Sequence, residues 1–106
     1  MSGIDSTGGD APPPQGNCQS LVIDTQISSP KAAVIAGISV GDLLDVSLDK
    51  GSDIVVVVVL FKGKVAGGIA APLLPRLREC MEQGVVYRAR VTARHDALVR
   101  VRIAAV

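Results

Sequence analysis

Five consecutive valines constrain the fold of this chain more than any other feature. They lie within an eight-residue apolar run, residues 54–61. β-Branched side chains favour extended backbone, and a run without polar alternation is typical of a strand that is buried on both faces or lies centrally in a sheet. A membrane-spanning helix needs about 20 apolar residues, so the run predicts a strand rather than an anchor. On an open edge such a strand would promote aggregation, which favours a closed sheet.

Alternating apolar segments predict five further strands. They cover residues 21–27, 43–48, 64–70, 85–93 and 98–104. A helical turn over residues 31–36 and an amphipathic helix over residues 72–83 complete the order β-(short α)-β-β-β-α-β-β. One long helix cannot supply the crossovers of a parallel sheet. We therefore predict a mainly β fold with one α-helix, in which six antiparallel strands form a small barrel plugged by that helix.

Glycines mark two special points in the fourth predicted strand. The pair Lys62-Gly63 predicts a tight turn before it. Within the strand, Gly67 and Gly68 are adjacent. Paired glycines in a strand indicate a bulge, a sharp bend or a close approach of another backbone segment.

The length of 106 residues predicts one domain, because two domains would each struggle to bury a core. Residues 1–17 are rich in Gly, Pro and Ser, and we predict a disordered tail, with a docking peptide as the alternative. Residues 18–106 then form a single small β-barrel domain. The start of the chain lacks the basic and apolar regions of a secretory signal. Cys18 and Cys80 form no CxxC motif, so we expect free thiols in a reducing cytoplasm, with Cys80 packed in the core.

The residues that most catalytic sites require are scarce. His95, the one histidine, lies in a predicted turn, and no spacing indicates the partners that a nucleophile–base–orienter site needs. One histidine and two distant cysteines make a zinc site improbable. The glycines form no phosphate-binding loop. We predict that the protein is not an enzyme and uses no metal or small-molecule cofactor, and we expect no membrane association.

The distribution of arginines is the strongest functional signal. The net charge is only +1, yet all seven arginines lie in residues 76–106, against three acidic residues there. Arg88 and Arg90 alternate with apolar residues on one predicted strand, and Arg100 and Arg102 do so on the next. If a loop with an odd number of residues joins these strands, all four arginines stand on one surface.

Three interpretations of this surface remain open. Asp24, Asp45 or Asp49 on neighbouring strands could neutralise the arginines, because like charges opposite one another cost about 0.2–1 kcal/mol. The surface could instead bind an acidic protein or another subunit, or the phosphates of nucleic acid. Aromatic residues form only 2% of the chain, which weighs against nucleic acid, since stacking contributes about 1–3 kcal/mol per base. The predicted binding residues are Arg88, Arg90, Arg94, Arg100 and Arg102.

Together these observations predict a non-catalytic binding module. The leading hypothesis is protein–protein interaction or self-assembly through the arginine-rich sheet face. The alternative is sequence-independent binding of single-stranded nucleic acid, with affinity that depends on salt.

Several segments resemble a HIRAN domain. They are residues 40–46, 54–59, 63–69 and 87–91, with the helix and Gly84 between the last two. The resemblance covers roughly residues 19–104 and implies a small OB-related β-barrel with this strand–helix order. HIRAN domains grip single-stranded DNA ends in helicase-like remodelling enzymes. The chain departs from the family at residues 51–53, where an acidic and Asn-containing loop is shortened, and at Gly68, which replaces an aromatic residue. The resemblance therefore implies the fold, and no functional residue is transferred.

Overall fold

The computed structural model describes residues 17–51 and 53–106, and it is mainly β. The predicted disordered tail, apart from Asn17, lies outside the described residues. Within them, six antiparallel strands close into a barrel in the order β1-β4-β3-β2-β5-β6. The strands are β1 (Val22–Ser28), β2 (Leu43–Asp49), β3 (Val56–Phe61), β4 (Lys64–Ile69), β5 (Tyr87–His95) and β6 (Leu98–Ala105). The predicted fold class is confirmed.

Short helices connect the strands. A single 3₁₀ turn, Cys18–Ser20, precedes β1; α1 spans Ala32–Ile35, and α2 spans Leu74–Glu82. A proline lies in the first turn of α2, where its missing N–H costs nothing. Leu77 and Cys80 of α2 are fully buried among the core residues of the strands. In the described part of the chain, we find no helix with the length and apolarity that a membrane crossing requires.

The valine run lies centrally in the sheet but is buried on one face only. Its strand, β3, pairs with β2 on one side and β4 on the other. Val57 and Val59 point into the barrel and are inaccessible, whereas Val56 is 40% exposed and Val58 is half-buried. The sequence allows two explanations of the valine run, a central position or burial on both faces. The position of β3 between two paired strands fits the first, and burial on both faces is not observed. The outer face of β3 is instead apolar and partly exposed.

The hairpin between β5 and β6 does not have the odd-numbered loop that was the condition for placing all four arginines on one surface. His95 pairs directly with Leu98, so the loop contains two residues, and Asp96 takes a positive φ of 52°. The register then shifts between Val91 and Ala93. This bulge supplies the one extra residue that an odd loop would have supplied. Beyond the bulge, towards the start of β5, the arginines of both strands point outwards.

At Gly67, the backbone of β4 lies close to the end of β1. A Cβ built on Gly67 would lie 2.8 Å from the carbonyl oxygen of Ser28 and still closer to the side chain of Ile27. The β3–β4 register also shifts between Val59 and Leu60. The paired glycines therefore mark both an irregular register and a close approach, two of the explanations that the sequence left open.

A disulfide bond joins Cys18 to Cys80, so the prediction of free thiols is wrong. The two Cα atoms lie 5.6 Å apart although 62 positions separate the residues. Cys80 is buried, as expected. Closure of the barrel brings the turn before β1 against α2. The spacing of the two cysteines matches no motif, so the sequence does not indicate this contact.

Candidate binding surface

Four of the five predicted binding arginines stand together on the outer surface of β5 and β6. We call Arg88, Arg90, Arg100 and Arg102 the arginine face. All four are exposed and alternate with buried residues of the barrel core. In the strand register Arg90 lies directly opposite Arg102. The bulge described above makes this placement possible, because it brings the outward positions of the two strands into line.

Aspartates on the neighbouring strands neutralise two members of the arginine face. Arg102 donates from Nε to Oδ1 of Asp24 at 2.8 Å and from Nη2 to Oδ2 at 3.4 Å. The hydrogen bond and the negative charge of Asp24 raise the pKa of Arg102. On the other side of the hairpin, Nε of Arg88 lies 3.2 Å from Oδ1 of Asp45. Predicted pairing by these two aspartates is confirmed.

Asp49, the third predicted partner, does not reach the arginine face. Its Oδ1 accepts a hydrogen bond of 2.9 Å from the backbone N–H of Gly51, at the end of β2. Among residues 17–51 and 53–106, Arg90 and Arg100 form no ion pair within 4.0 Å. The surface therefore combines four guanidinium groups with two paired carboxylates and keeps a surplus of positive charge.

A groove of about 250 Å³ crosses β2, β5 and β6 beside these guanidinium groups. Its lining residues are Leu43, Arg88, Arg90, Arg102, Ala104, Ala105 and Val106. Leu43 is 51% exposed and Val106 is 73% exposed. The lining thus offers apolar contacts between cationic groups, an arrangement suited to a carboxylate next to an apolar side chain. Leu43 is not among the binding residues predicted from the sequence, although it lies on the same outward, polar face of β2 as Asp45.

Arg94 is separated from the arginine face. Its Nη1 donates to the backbone carbonyl oxygens of Ile35 and Ile38, the latter at 2.8 Å, and its Nε donates to that of Asp96 at 2.8 Å. Because the bulge adds one residue to β5, the alternation of inward and outward side chains shifts by one position beyond it. Arg94 therefore pairs with the buried Val99 rather than with an outward-facing residue. Its guanidinium therefore holds the loop after α1, a structural contact that its sequence position did not indicate.

His95 is an exposed residue at the end of β5. Its Nε2 lies 3.8 Å from Oδ2 of Asp96, and both side chains are at least 90% exposed. Within the described ranges no three His, Cys, Asp or Glu residues come together as metal ligands.

No family model, curated protein or solved structure matches this chain. The resemblance to HIRAN domains therefore stays a prediction, and the candidate surface is interpreted from its own geometry.

Proposed function

We propose that this protein is a non-catalytic binding module that recognises an acidic segment of a partner protein through the arginine face. One observation carries the proposal. Arg90 and Arg102 stand opposite each other, and among the described residues Arg102 pairs with Asp24 whereas Arg90 forms no ion pair. Like charges directly opposite each other destabilise the free protein. A carboxylate supplied by a partner would relieve this repulsion, and the adjacent groove would hold its apolar neighbour.

The chemistry of the groove favours a protein over nucleic acid. Single-stranded nucleic acid is usually held by aromatic side chains that stack on bases, worth about 1–3 kcal/mol each. The groove is lined by none. Tyr87 on β5 points into the core and is 1% exposed. Arginines without stacking groups contact phosphates and read little sequence. Binding of single-stranded nucleic acid remains the alternative hypothesis.

Fluorescence anisotropy with three labelled probes tests the proposal. The probes are a short peptide in which Glu alternates with Leu, the same peptide with Gln replacing Glu, and an oligothymidylate of similar length. We expect the Glu peptide to bind, and the other two to bind at least about tenfold more weakly, a difference of about 1.4 kcal/mol. Tighter binding of the oligothymidylate, with affinity that falls steeply with salt, would establish the alternative instead.

Two double variants with the same change in net charge locate the binding surface. Arg90→Gln with Arg100→Gln removes the two members of the arginine face that form no ion pair with the described residues, and we expect the Glu peptide to bind about fivefold or more weakly. Lys62→Gln with Lys64→Gln removes two exposed lysines of the β3–β4 hairpin and serves as the control. Equal losses in the two variants would mean that net charge alone drives binding, which contradicts a defined surface.

Self-association is the other form that this proposal can take, with a second copy supplying the acidic segment. Light scattering over a range of concentrations distinguishes the two forms. A mass that rises with concentration in the native protein, but not in the Arg90→Gln and Arg100→Gln double variant, would identify the partner as another copy.

The cytoplasmic location expected from the sequence stays a prediction. This location is expected from free thiols, and the bond between Cys18 and Cys80 removes that support. Disulfides form and persist mainly in oxidising compartments. The proposed binding does not depend on the compartment.

A further inference from the structure

A second site lies where the β3–β4 hairpin meets α1, away from the arginine face. A slot of about 210 Å³ is lined by Ala33, Val34, Gly37, Phe61, Lys62 and Lys64. We call it the lysine slot. Phe61 and Lys64 are register partners across the hairpin, so their side chains share one face. The ring of Phe61 is half-buried, whereas both lysines are exposed. The opening of the slot therefore combines an apolar, aromatic wall with two ammonium groups.

The backbone of Gly37 keeps the slot open on the side of α1. A Cβ built on this residue would lie 3.4 Å from Cε2 of Phe61, in ordinary van der Waals contact. Gly37 is not among the residues with positive φ, so its conformation is open to other residues. Any side chain at this position would project towards the edge of the Phe61 ring. The missing side chain therefore leaves one edge of the ring accessible.

The side chains of Lys62 and Lys64 lie apart from the carboxylates of the described residues. The ammonium nitrogen of Lys62 lies 5.2 Å from the centroid of the Phe61 ring, a cation–π contact. In the described ranges, neither Lys62 nor Lys64 forms an ion pair within 4.0 Å. Aspartates neutralise half of the arginine face, whereas the lysines of this smaller site have no such partner among the described residues. Its chemistry fits an anion that also carries an apolar ring.

We propose that the lysine slot binds a small aromatic carboxylate, with its ring against Phe61 and its carboxylate between Lys62 and Lys64. The size of the slot sets the class of ligand. A cavity of about 150 Å³ holds benzene, whereas drug-sized ligands need about 300 Å³ or more. The slot, at about 210 Å³, accommodates one six-membered ring. This site shares no residue with the arginine face, so it stands whether or not the proposed function does.

Nuclear magnetic resonance titration of the ¹⁵N-labelled full chain tests the site. Benzoate supplies both ring and charge, benzyl alcohol supplies the ring alone, and acetate supplies the charge alone. We expect benzoate to cause saturable shifts at the amides of Gly37, Phe61 and Lys64. The dissociation constants of the other two probes should be higher by about fivefold or more, since each lacks one type of contact. Equal binding of acetate and benzoate at these amides, or the absence of saturable benzoate shifts there, would overturn the proposal.

Variants separate the ring contact from the charge contact. Gly37→Ala places a methyl group at the ring edge without a backbone clash, and we expect weaker benzoate binding with an unchanged melting temperature. Lys62→Gln with Lys64→Gln should weaken benzoate binding about fivefold or more. The charge-matched control, Arg90→Gln with Arg100→Gln, should leave the benzoate titration at the amides of Gly37, Phe61 and Lys64 unchanged. Undiminished benzoate binding in the lysine double variant would refute the site, and a loss in the arginine variant would show binding by net charge.

Discussion

The phenol of Tyr87 donates a 2.6 Å hydrogen bond to the backbone carbonyl oxygen of Cys18. Cys18 is also bonded through its sulfur to Cys80 of α2. These two contacts therefore connect three elements, which are the start of β5, the turn before β1 and α2. Tyr87 is 1% exposed, and a buried hydroxyl without a partner would carry a desolvation cost. Its hydrogen bond removes that cost and holds the first described turn onto the barrel.

Replacing Tyr87 by Phe is expected to lower the free energy of unfolding by about 0.5–1.5 kcal/mol. The ring keeps its packing, while the hydrogen bond to Cys18 is lost. Urea unfolding of native protein and variant measures the difference. Equal midpoints with equal slopes would mean that the carbonyl of Cys18 finds water as readily as the phenol.

Tyr87 also makes stability depend on pH above about 10. Burial raises the pKa of Tyr87, and the positive charge of Arg76 offsets part of this effect. The unfolded phenol ionises near its ordinary pKa of about 10, while the folded phenol stays protonated to higher pH. Between these two values the folded state binds more protons, so stability falls as pH rises. Below the unfolded pKa the contribution is fully present.

Ultraviolet absorbance of tyrosinate measures this titration directly, because Tyr87 is the one tyrosine and the chain has no Trp. We expect the folded protein to titrate at higher pH than the urea-unfolded chain. In the variant Arg76→Gln, the folded titration should move higher still. Coinciding folded and unfolded curves would contradict the burial of the phenol.

Reduction of the Cys18–Cys80 bond is expected to lower the free energy of unfolding by about 2–4 kcal/mol. The bond closes a long loop in the unfolded chain, because its ends have a sequence separation of 62. For a domain of this size the melting temperature should fall by about 10 °C or more. Thermal unfolding with and without dithiothreitol gives the comparison. Alkylation under native, non-reducing conditions should leave both cysteines unmodified, and labelling of both would show that the bond is absent.

Gly67→Ala is expected to destabilise the barrel by about 3 kcal/mol or more. The new methyl group would collide with the carbonyl of Ser28 and with Ile27, and a backbone atom cannot rotate out of the way. Gly68→Ala is the matched control, because its nearest contact is the carbonyl of Val57 at 3.4 Å. Chemical denaturation of both variants tests the contrast. Equal destabilisation would show that the cost arises from the loss of glycine rather than from the approach of β1.

Local patterns in the sequence predicted most of the fold. The strand and helix segments were found within a few residues because alternation and glycine or proline boundaries are local signals. The same alternation placed Arg88, Arg90, Arg100 and Arg102 on the outside of the barrel. Closure was inferred from the valine run, whose exposed edge would otherwise promote aggregation.

Features that depend on distant contacts or on register could not be predicted. The disulfide joins segments that become neighbours only when the barrel closes. A bulge near Val91 leaves no local signature, so the sequence grouped Arg94 with residues that point outwards. The lysine slot was missed for the same reason, because Gly37 and Phe61 meet only through the packing of α1 on the β3–β4 hairpin.

The free protein should become more stable when Arg90 is replaced by Gln. Arg90 lies opposite Arg102 and forms no ion pair in the described part of the chain, so the substitution removes a repulsion between like charges. Arg102→Gln relieves the same repulsion but also breaks the contact with Asp24. The stability of this variant should therefore change less than that of Arg90→Gln. Urea unfolding at low salt and at about 1 M salt measures both, since salt screens exposed charges. If Arg90 serves binding, Arg90→Gln should raise stability at low salt and weaken binding of the Glu peptide. A variant that loses stability at both salt concentrations would show that Arg90 supports the sheet instead.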